Sequence, residues 1–304
     1  MQRIYTIGET VYDIIFKDEE PVTAKAGGTM LNTAVSLGRL SLPVSFISEY
    51  GVDHAGDIIN GFLEKNGVDT SLVYRYKEGK TAISLAFLNE LNDAQYTFYK
   101  HYPEKRLPLD LPAFSRGDIL LFGGFYSLMP EVRSSLISFV KAAKAAGALI
   151  IYDPNIRSPH KNEITALREL IYENLSLAEL VRGSDEDFKT IFDIPTGRMA
   201  YDIVNSYGCN YLVYTKSNVG VEFYYPGGVI DVEVPPVTTV STIGAGDSFN
   251  AGLIYEFFKL KKLSKTFSSQ EFAKSIKTAI SFGSHVCTHY ENYISESFAE
   301  KYSD

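Results

Sequence analysis

The chain lacks several features that mark whole classes of protein. Its 304 residues include two cysteines and no tryptophan, and no apolar run is long enough to span a membrane. The formal net charge is -8 and no basic cluster is present, so neither nucleic acid nor a membrane is expected as a main partner. Cys209 and Cys287 lack a metal-binding spacing, and we predict that they are reduced, buried thiols in a cytoplasmic protein.

What remains is an ordinary globular composition, with 45% hydrophobic and 22% charged residues. The length suits one large α/β domain, and no repeat, low-complexity stretch or linker divides residues 1–304. In the middle of the chain, short apolar runs at 118–124 and 148–153 alternate with helical patterns at 131–146 and 162–175. This rhythm predicts a mostly parallel sheet with helices on both faces, which is a three-layer α/β/α sandwich.

One region breaks this rhythm. Between residues 72 and 102, aromatic and aliphatic residues largely alternate with polar ones, and a polar turn at 89–93 separates two of the runs. A period of two around a central polar turn predicts a β-hairpin. We therefore expect a small β element that stands off the main sheet.

The stretch 242–249 carries the clearest chemical signal. Gly244 and Gly246 can adopt backbone angles closed to other residues, and an apolar helical pattern follows from Phe249. The first N–H groups of a helix have no partner within it and carry the positive end of its dipole, so this turn is a predicted anion site. Asp247 is a candidate general base there, because its carboxylate can accept a proton while the N–H groups hold developing negative charge. The alternative interpretation is that Asp247 only caps the helix.

Two other stretches place polar groups and glycines where a ligand could bind. Gly27 and Gly28 precede a helix and allow close approach to the backbone, and Asn32 offers both a donor and an acceptor. Asp153 ends a predicted buried strand. Arg157 follows four residues later, and its planar guanidinium group can bind a hydroxyl, carboxylate or phosphate. Taken singly, each stretch is also explained by an ordinary surface loop.

In their order along the chain, these stretches resemble the ribokinase-like (PfkB-type) family of carbohydrate kinases. The matching positions cover nearly the whole chain and are Gly8-Glu9, Asp13, Gly27-Gly28 to Asn32, 51–56, 67–69, 153–157, Thr215-Lys216 with Gly220, and 244–247. The resemblance implies the family's fold, with a small β-sheet lid formed by segments near 10–25 and 72–102 on a single domain. It also implies an enzyme that uses ATP and Mg²⁺ to phosphorylate a sugar hydroxyl, and a homodimer that forms through the lid.

The resemblance also implies roles for individual residues. Asp247 resembles the general base, and the N–H groups of Gly244, Ala245 and Gly246 resemble the anion hole for the transferring phosphoryl group. The implied sugar-binding positions are Asp13, Gly27, Gly28, Asn32, Lys100 and Arg157; the nucleotide positions are Ser184, Thr215 and Gly220; and the magnesium position is Asp187.

Within the family, Glu9, residues 98–100 and residues 153–157 look most like fructokinases and 2-keto-3-deoxygluconate kinases, and a fructokinase is the first expectation. Lys100 and Arg157 could equally pair with the carboxylate of a sugar acid, which keeps the keto-acid kinase open. A nucleoside kinase of the same fold is another alternative. A non-catalytic sugar-binding regulatory relative is the alternative of a different class.

Three departures from the family pattern bear on these expectations. Ser241 stands where potassium-activated members carry Asp, so we expect little activation by potassium. The family's Asn-x-x-Glu motif is here Ser184 to Asp187, which keeps a hydroxyl and a shorter acid that can still position magnesium through water. Finally, many fructokinases carry a tryptophan shortly after the position of Arg157, and this chain has none.

Overall fold

The protein was studied as a computed structural model that describes residues 2–88, 94–156, 161–261 and 268–302. The strands, in chain order, are β1 (Ile4–Ile7), β2 (Val11–Lys17), β3 (Glu20–Gly27), β4 (Val44–Gly51), β5 (Val73–Tyr76), β6 (Lys80–Leu88), β7 (Ala94–His101), β8 (Ile119–Gly123), β9 (Leu149–Asp153), β10 (Leu180–Ser184), β11 (Tyr211–Lys216), β12 (Gly220–Tyr225) and β13 (Gly228–Glu233). The helices are α1 (Thr29–Arg39), α2 (His54–Lys65), α3 (Pro130–Ala146), α4 (Lys161–Leu177), α5 (Asp185–Phe192), α6 (Gly197–Ser206), α7 (Ala245–Leu260), α8 (Ser269–Cys287) and α9 (Glu296–Ala299). Short 3₁₀ helices lie at Phe125–Leu128 and Glu300–Tyr302.

The larger of two sheets has the strand order β13-β12-β11-β10-β9-β8-β1-β4-β5. Its pairs are parallel from β11 through β5, and β12 and β13 join antiparallel at one edge. Every residue of β4, β8 and β9 is buried, and burial on both faces explains why β8 and most of β9 are continuous apolar runs rather than alternating ones. The predicted mostly parallel sheet is confirmed.

Helices cover both faces of this larger sheet. One hydrophobic core includes residues of α1, α7 and α8, and a second core includes residues of α3, α4 and α6. Along β8, Ile119 and Leu121 belong to the first core, whereas Leu120 and Phe122 belong to the second. Successive side chains of a strand point to opposite faces, so one core lies on each side of the sheet. This arrangement confirms the three-layer α/β/α sandwich.

The second sheet, which we call the small sheet, has the order β3-β2-β6-β7. Strand β2 runs parallel to β6, and the other pairs are antiparallel. The second chain segment of the small sheet begins at Lys80 rather than near residue 72, because β5 pairs with β4 in the larger sheet and buries Val73 and Tyr76 there. The polar turn expected at 89–93 lies outside the described residues.

The carboxyl ends of neighbouring parallel strands meet at one edge of the larger sheet. Strands β9, β10 and β11 are adjacent, and Ser184 pairs in register with Thr215. Asp153 and Ser184 therefore end β9 and β10, and Thr215 is the penultimate residue of β11, all at the same edge. In open α/β sheets this edge is where ligands bind.

The described residues contain no helix that is both long enough and apolar enough to cross a bilayer. Both cysteines are free thiols, as predicted, and burial raises the pKa of the Cys209 thiol to about 12. Cys287 is only partly buried, because it lies at the carboxyl end of α8, where the chain leaves the core.

Candidate active site

The glycine turn before α7 has the geometry that its sequence predicts. Gly244 occupies the N-cap position with a φ of 81°, in the left-handed region that favours glycine. A side chain at this position would also clash with the backbone of Asn292. The turn therefore needs glycine at Gly244, and α7 begins directly after it. The N–H of Ala245 donates to the carbonyl of Thr242 at 3.3 Å within the turn, and the first N–H groups of a helix have no partner within the helix itself.

Asp247 lies in that first turn and is 7% exposed. Its Oδ2 accepts a hydrogen bond of 2.8 Å from Nδ2 of Asn32 on α1, and the hydroxyl of Thr33 donates to its backbone carbonyl. Gly244 rather than Asp247 occupies the N-cap, so the contact with Asn32 is not one that helix capping explains. The structure thus brings together two residues that lie 215 positions apart and that the sequence assigned to one site.

The buried Oδ1 of Asn32 has no hydrogen-bond partner within the described part of the chain. A buried amide oxygen costs free energy when it is left unpaired, so such an atom is often explained by an absent ligand or water. Asn32 therefore holds Asp247 with one end of its amide and presents an acceptor with the other. A sugar hydroxyl is a suitable donor for that acceptor.

Asp13 and the paired glycines meet where the small sheet joins α1. The hydroxyl of Ser84 on β6 donates to Oδ1 of Asp13, and a side chain at Gly27 would clash with the same carboxylate. Gly28 has a φ of 134°, and a side chain there would clash with the carbonyl of Glu9. The two glycines therefore let the end of β3 and the residue before α1 lie against Asp13 and the backbone of Glu9.

Lys100 projects from β7 and forms an ion pair with Glu9. Its Nζ lies 2.7 Å from Oε1 of Glu9, which also accepts a hydrogen bond from the hydroxyl of Tyr102. This amine also lies 5.1 Å from the ring centroid of Phe98. The positive charge of Lys100 is therefore paired with Glu9. Arg157, the other predicted cation at the sugar, lies outside the described residues.

A buried polar cluster that contains Asp153, Arg182 and Asn250 lies beside the glycine turn. Oδ2 of Asp153 accepts hydrogen bonds from Nδ2 of Asn250 at 2.5 Å and from Nη1 of Arg182 at 3.3 Å. Burial raises the pKa of the Asp153 carboxyl; Arg182 opposes this effect, and the negative charge of Asp187 adds to it. Oδ1 of Asp153 is buried and has no partner among the residues described.

The predicted nucleotide and metal positions lie beside this cluster. The hydroxyl of Thr215 accepts from Nη2 of Arg182 at 3.1 Å. Asp187 forms a capping box with Ser184: its Oδ2 accepts from the backbone N–H and the hydroxyl of Ser184, and its Oδ1 accepts from the N–H of Ile156. Gly220 starts β12 and pairs across the hairpin with Lys216, one residue beyond Thr215.

Sequence reasoning missed Arg182 and Asn250. Arg182 is a charged residue in the otherwise uncharged strand β10, two positions before the predicted Ser184. A cation near the carboxyl end of a buried strand is the signal that could have identified it. Asn250 lies on α7 one turn after Gly246 and carried no comparable signal.

The sequence of this chain matches a known protein family. Residues 1–297 match the model of the pfkB family carbohydrate kinases. The chain belongs to this family. Membership confirms the family resemblance and makes the chain a sugar kinase, which disfavours the regulatory, non-catalytic alternative.

Similar proteins agree on the fold and on the class of reaction. The fructokinase of Escherichia coli is 28% identical over 260 residues, covering 83% of each chain. The fructokinase of Solanum tuberosum is 29% identical over 244 residues, covering 78% of this chain and 73% of the relative. Among solved structures, an aminoimidazole riboside kinase from Salmonella enterica, complexed with aminoimidazole riboside and an ATP analog, has a TM-score of 0.85 at 20% identity and full coverage of both chains. A double mutant of the Vibrio cholerae fructokinase, bound to fructose, ADP and potassium, has a TM-score of 0.84 at 20% identity and covers 100% of this chain and 99% of its own.

The acidic residues fit a magnesium ion that arrives with nucleotide phosphates. Within the described ranges no three His, Cys, Asp or Glu side chains are grouped to hold a metal by themselves. Mg²⁺ is usually held by one or two carboxylates together with substrate phosphates, and it keeps several waters. Asp187 has both oxygens hydrogen-bonded, which suits contact through water, and Asp153 offers its unpaired Oδ1.

Proposed function

We propose that this PfkB-family kinase transfers the γ-phosphoryl group of ATP to a hydroxyl of a hexose, with fructose as the preferred sugar. The observation that carries the proposal is the 2.8 Å hydrogen bond that holds Asp247 against Asn32 at the start of α7. It places a fixed carboxylate in the first turn of a helix that begins with a glycine turn. Such a turn suits an anion, and such a carboxylate suits the removal of a proton next to it.

In the proposed reaction Asp247 accepts the proton of the sugar hydroxyl as the hydroxyl oxygen attacks the γ-phosphorus. The bond between that phosphorus and the oxygen that bridges to the β-phosphate breaks, and ADP leaves with the bond's electron pair. The N–H groups of Gly244, Ala245 and Gly246 hold the charge on the transferring group. Asp13, Gly27, Gly28 and Asn32 orient the sugar, so that alignment supplies much of the rate.

ATP and Mg²⁺ are part of the same proposal. The Salmonella enterica kinase was solved with an ATP analog and the Vibrio cholerae fructokinase with ADP, which supports a purine nucleotide for this chain. Ser184, Thr215 and Gly220 would line the nucleotide, and Asp187 would hold Mg²⁺ through water. The ion would neutralise charge on the phosphates.

The pairing of Lys100 favours a neutral sugar over a sugar acid. A keto-acid kinase needs a cation free to meet the substrate carboxylate. Here Glu9 and Lys100 neutralise each other at 2.7 Å, so binding a carboxylate would first require breaking this pair. The fructokinase relatives point in the same direction.

The test is a comparison of kcat/KM with ATP and Mg²⁺ for fructose, 2-keto-3-deoxygluconate, ribose and a nucleoside. We expect fructose to give the highest value. The Asp247→Asn variant serves as the blank, because any contaminating kinase would remain active in it. A higher kcat/KM for the keto acid, for ribose or for the nucleoside would reject fructose as the substrate and leave the family assignment in place.

We also propose a homodimer that forms through the small sheet. Phe98 on β7 is 52% exposed and stacks on the exposed ring of Tyr96 on the same face of the small sheet, and Tyr99 and Phe87 are exposed on the other face. Exposed apolar side chains that are grouped on one sheet are typical of a protein interface. Sedimentation of the wild type should give twice the chain mass, and Phe98→Ser should shift it toward the monomer. Val229→Ser, at an exposed site on β13 of the larger sheet, is the matched control; a monomeric wild type would contradict the proposal.

A further inference from the structure

Arg182 places a buried guanidinium directly against the glycine turn. A Cβ atom built on Gly246 would lie 2.9 Å from Nη1 and 3.1 Å from Nη2 of Arg182. The guanidinium therefore packs on the backbone whose N–H groups form the predicted anion hole. No motif assigns this residue a role, because its contact with Gly246 joins β10 to a turn 64 positions later in the chain.

The guanidinium is held in one position. Nη1 donates to Asp153 at 3.3 Å and Nη2 donates to Thr215 at 3.1 Å, and the ring centroid of Phe249 lies 5.5 Å from Cζ. The side chain is 8% exposed, and its Nε has no hydrogen-bond partner in the described ranges. A fixed and nearly dry cation exerts a stronger field than one in water.

A cation at this place is unfavourable for the helix alone. The amino end of α7 carries the positive end of the helix dipole, which favours an anion and disfavours a cation. Asp153 offsets one positive charge from the side of β9, but the other side of the guanidinium faces the turn. A buried arginine at a helix amino end is therefore explained when an anion binds at the turn during function.

We propose that Arg182 is a positioning residue for phosphoryl transfer, which keeps a permanent positive charge behind the anion hole. The inference rests on the proposed kinase activity at Asp247. Arg182 acts through the Gly244–Gly246 turn rather than on the sugar, and it stabilises negative charge that develops on the transferring group. Because this charge is greatest in the transition state, Arg182 contributes to kcat more than to the KM for sugar or ATP.

The first experiment compares Arg182→Gln, Arg182→Lys and Arg133→Gln. Arg133 is a matched control, since its side chain is also largely buried, and it donates hydrogen bonds to Glu173 and Asn174 between α3 and α4. We expect kcat to fall on the order of 10²-fold in Arg182→Gln, with both KM values nearly unchanged, and to fall at least tenfold less in Arg182→Lys. Arg133→Gln should lower the melting temperature and leave kcat unaltered. Equal kcat in folded Arg182→Gln and Arg182→Lys would overturn the proposal, because the two variants differ in charge.

The lysine variant keeps the proposal testable if Arg182→Gln does not fold. A buried ammonium loses its proton far more easily than a guanidinium. We therefore expect kcat of Arg182→Lys to fall as pH rises above neutrality, while kcat of the wild type stays constant over the same range. Identical pH profiles of kcat in the two proteins would reject the charge-based role.

A binding measurement separates failure of this inference from failure of the proposed function. Fluoroaluminate with ADP and Mg²⁺ mimics the transferring phosphoryl group without needing a sugar. Arg182→Gln should bind ADP as tightly as the wild type but lose the added affinity that fluoroaluminate gives. If the wild type phosphorylates no sugar yet shows this loss on substitution, the sugar assignment fails and the role of Arg182 stands. If the wild type phosphorylates fructose and Arg182→Gln keeps full affinity for the fluoroaluminate complex, the role of Arg182 fails alone.

Discussion

Two carboxylate–cation pairs lie at the candidate site, and the shorter pair is the more exposed one. Glu9 and Lys100 are 2.7 Å apart, with side chains 23% and 32% exposed. Asp153 and Arg182 are 3.3 Å apart, with side chains 0% and 8% exposed. Water screens the first pair and is largely excluded from the second, so distance alone does not rank the strength of the electrostatic interactions in the two pairs. Burial determines how strongly each charge acts on its surroundings.

The two pairs also connect different parts of the fold. Glu9 follows β1 of the larger sheet and Lys100 belongs to β7 of the small sheet, so this pair links two sheets. Asp153 and Arg182 belong to the adjacent strands β9 and β10, and hydrogen bonds of one sheet already fix these strands. The buried pair is therefore preorganised, as transition-state stabilisation requires. The exposed pair is better suited to adjust when a neutral sugar binds.

The largest effect on kcat is expected from substitution of Asp247, the proposed general base. Asp247→Asn should lower kcat by ~10²–10⁴-fold, because the amide cannot accept the proton of the sugar hydroxyl. Affinity for sugar and ATP, measured by calorimetry, should change little, and the amide nearly matches the carboxylate in size. Glu256→Gln on the same helix, where Glu256 pairs with Lys274, is the control for a general change in α7. A kcat above about a tenth of the wild-type value would return Asp247 to a structural role.

Substitution within the buried pair should lower the stability of the protein more than substitution within the exposed pair does. Arg182→Gln leaves the Asp153 carboxyl buried without its cation, and breaking a buried pair in this way costs about 3–5 kcal/mol. Burial already raises the pKa of Asp153 above that of the unfolded chain, and removal of Arg182 should raise it further. A raised carboxyl pKa contributes stability that is present at acidic pH and is lost as pH rises through the folded-state pKa. The melting temperature of the variant should therefore fall further below that of the wild type at pH 7.5 than at pH 4.5; an equal deficit at both values would contradict this account.

The contrast between the two pairs shows what the sequence could predict. Alternation of apolar runs and helical patterns predicted the three layers, because a parallel sheet buried on both faces needs continuous apolar strands. The match of ordered motifs predicted Asp247 and Asn32 at one site, and in the structure a 2.8 Å hydrogen bond joins the two side chains. The pairing of Lys100 with Glu9 was not predictable, because the residues lie 91 positions apart on different sheets and either could have faced the substrate. Arg182 was missed for a related reason. Its partners lie on β9, β11 and α7, and no local spacing in the sequence indicates that these residues contact one another.

The exposed pair should tolerate substitution. Lys100→Gln should cost no more than about 1 kcal/mol of stability, because solvent and salt weaken an ion pair at this exposure. Its kcat/KM for fructose should stay within roughly tenfold of the wild type, since a loss of 1.4 kcal/mol corresponds to that factor. Glu9→Gln frees the Lys100 amine, and the ratio of kcat/KM for 2-keto-3-deoxygluconate to that for fructose should rise. A fall in that ratio would show that Glu9 does not restrain Lys100.

The smallest effect on the rate is expected from the addition of potassium. The residue concerned is Ser241, which belongs to neither of the two carboxylate–cation pairs. The Vibrio cholerae fructokinase has been solved with a potassium ion, so a structural neighbour of this chain does bind one. Here Ser241 provides a neutral hydroxyl that accepts a hydrogen bond of 3.2 Å from the N–H of Ile243, just before the glycine turn. A hydroxyl without negative charge holds a hard cation less well than a carboxylate does. The rate in potassium should therefore be close to the rate in a bulky organic cation at matched ionic strength, and Ser241→Asp should make the enzyme more responsive to potassium. Activation of the wild type by about tenfold or more, which is worth about 1.4 kcal/mol, would show that other ligands hold the cation without a carboxylate at Ser241.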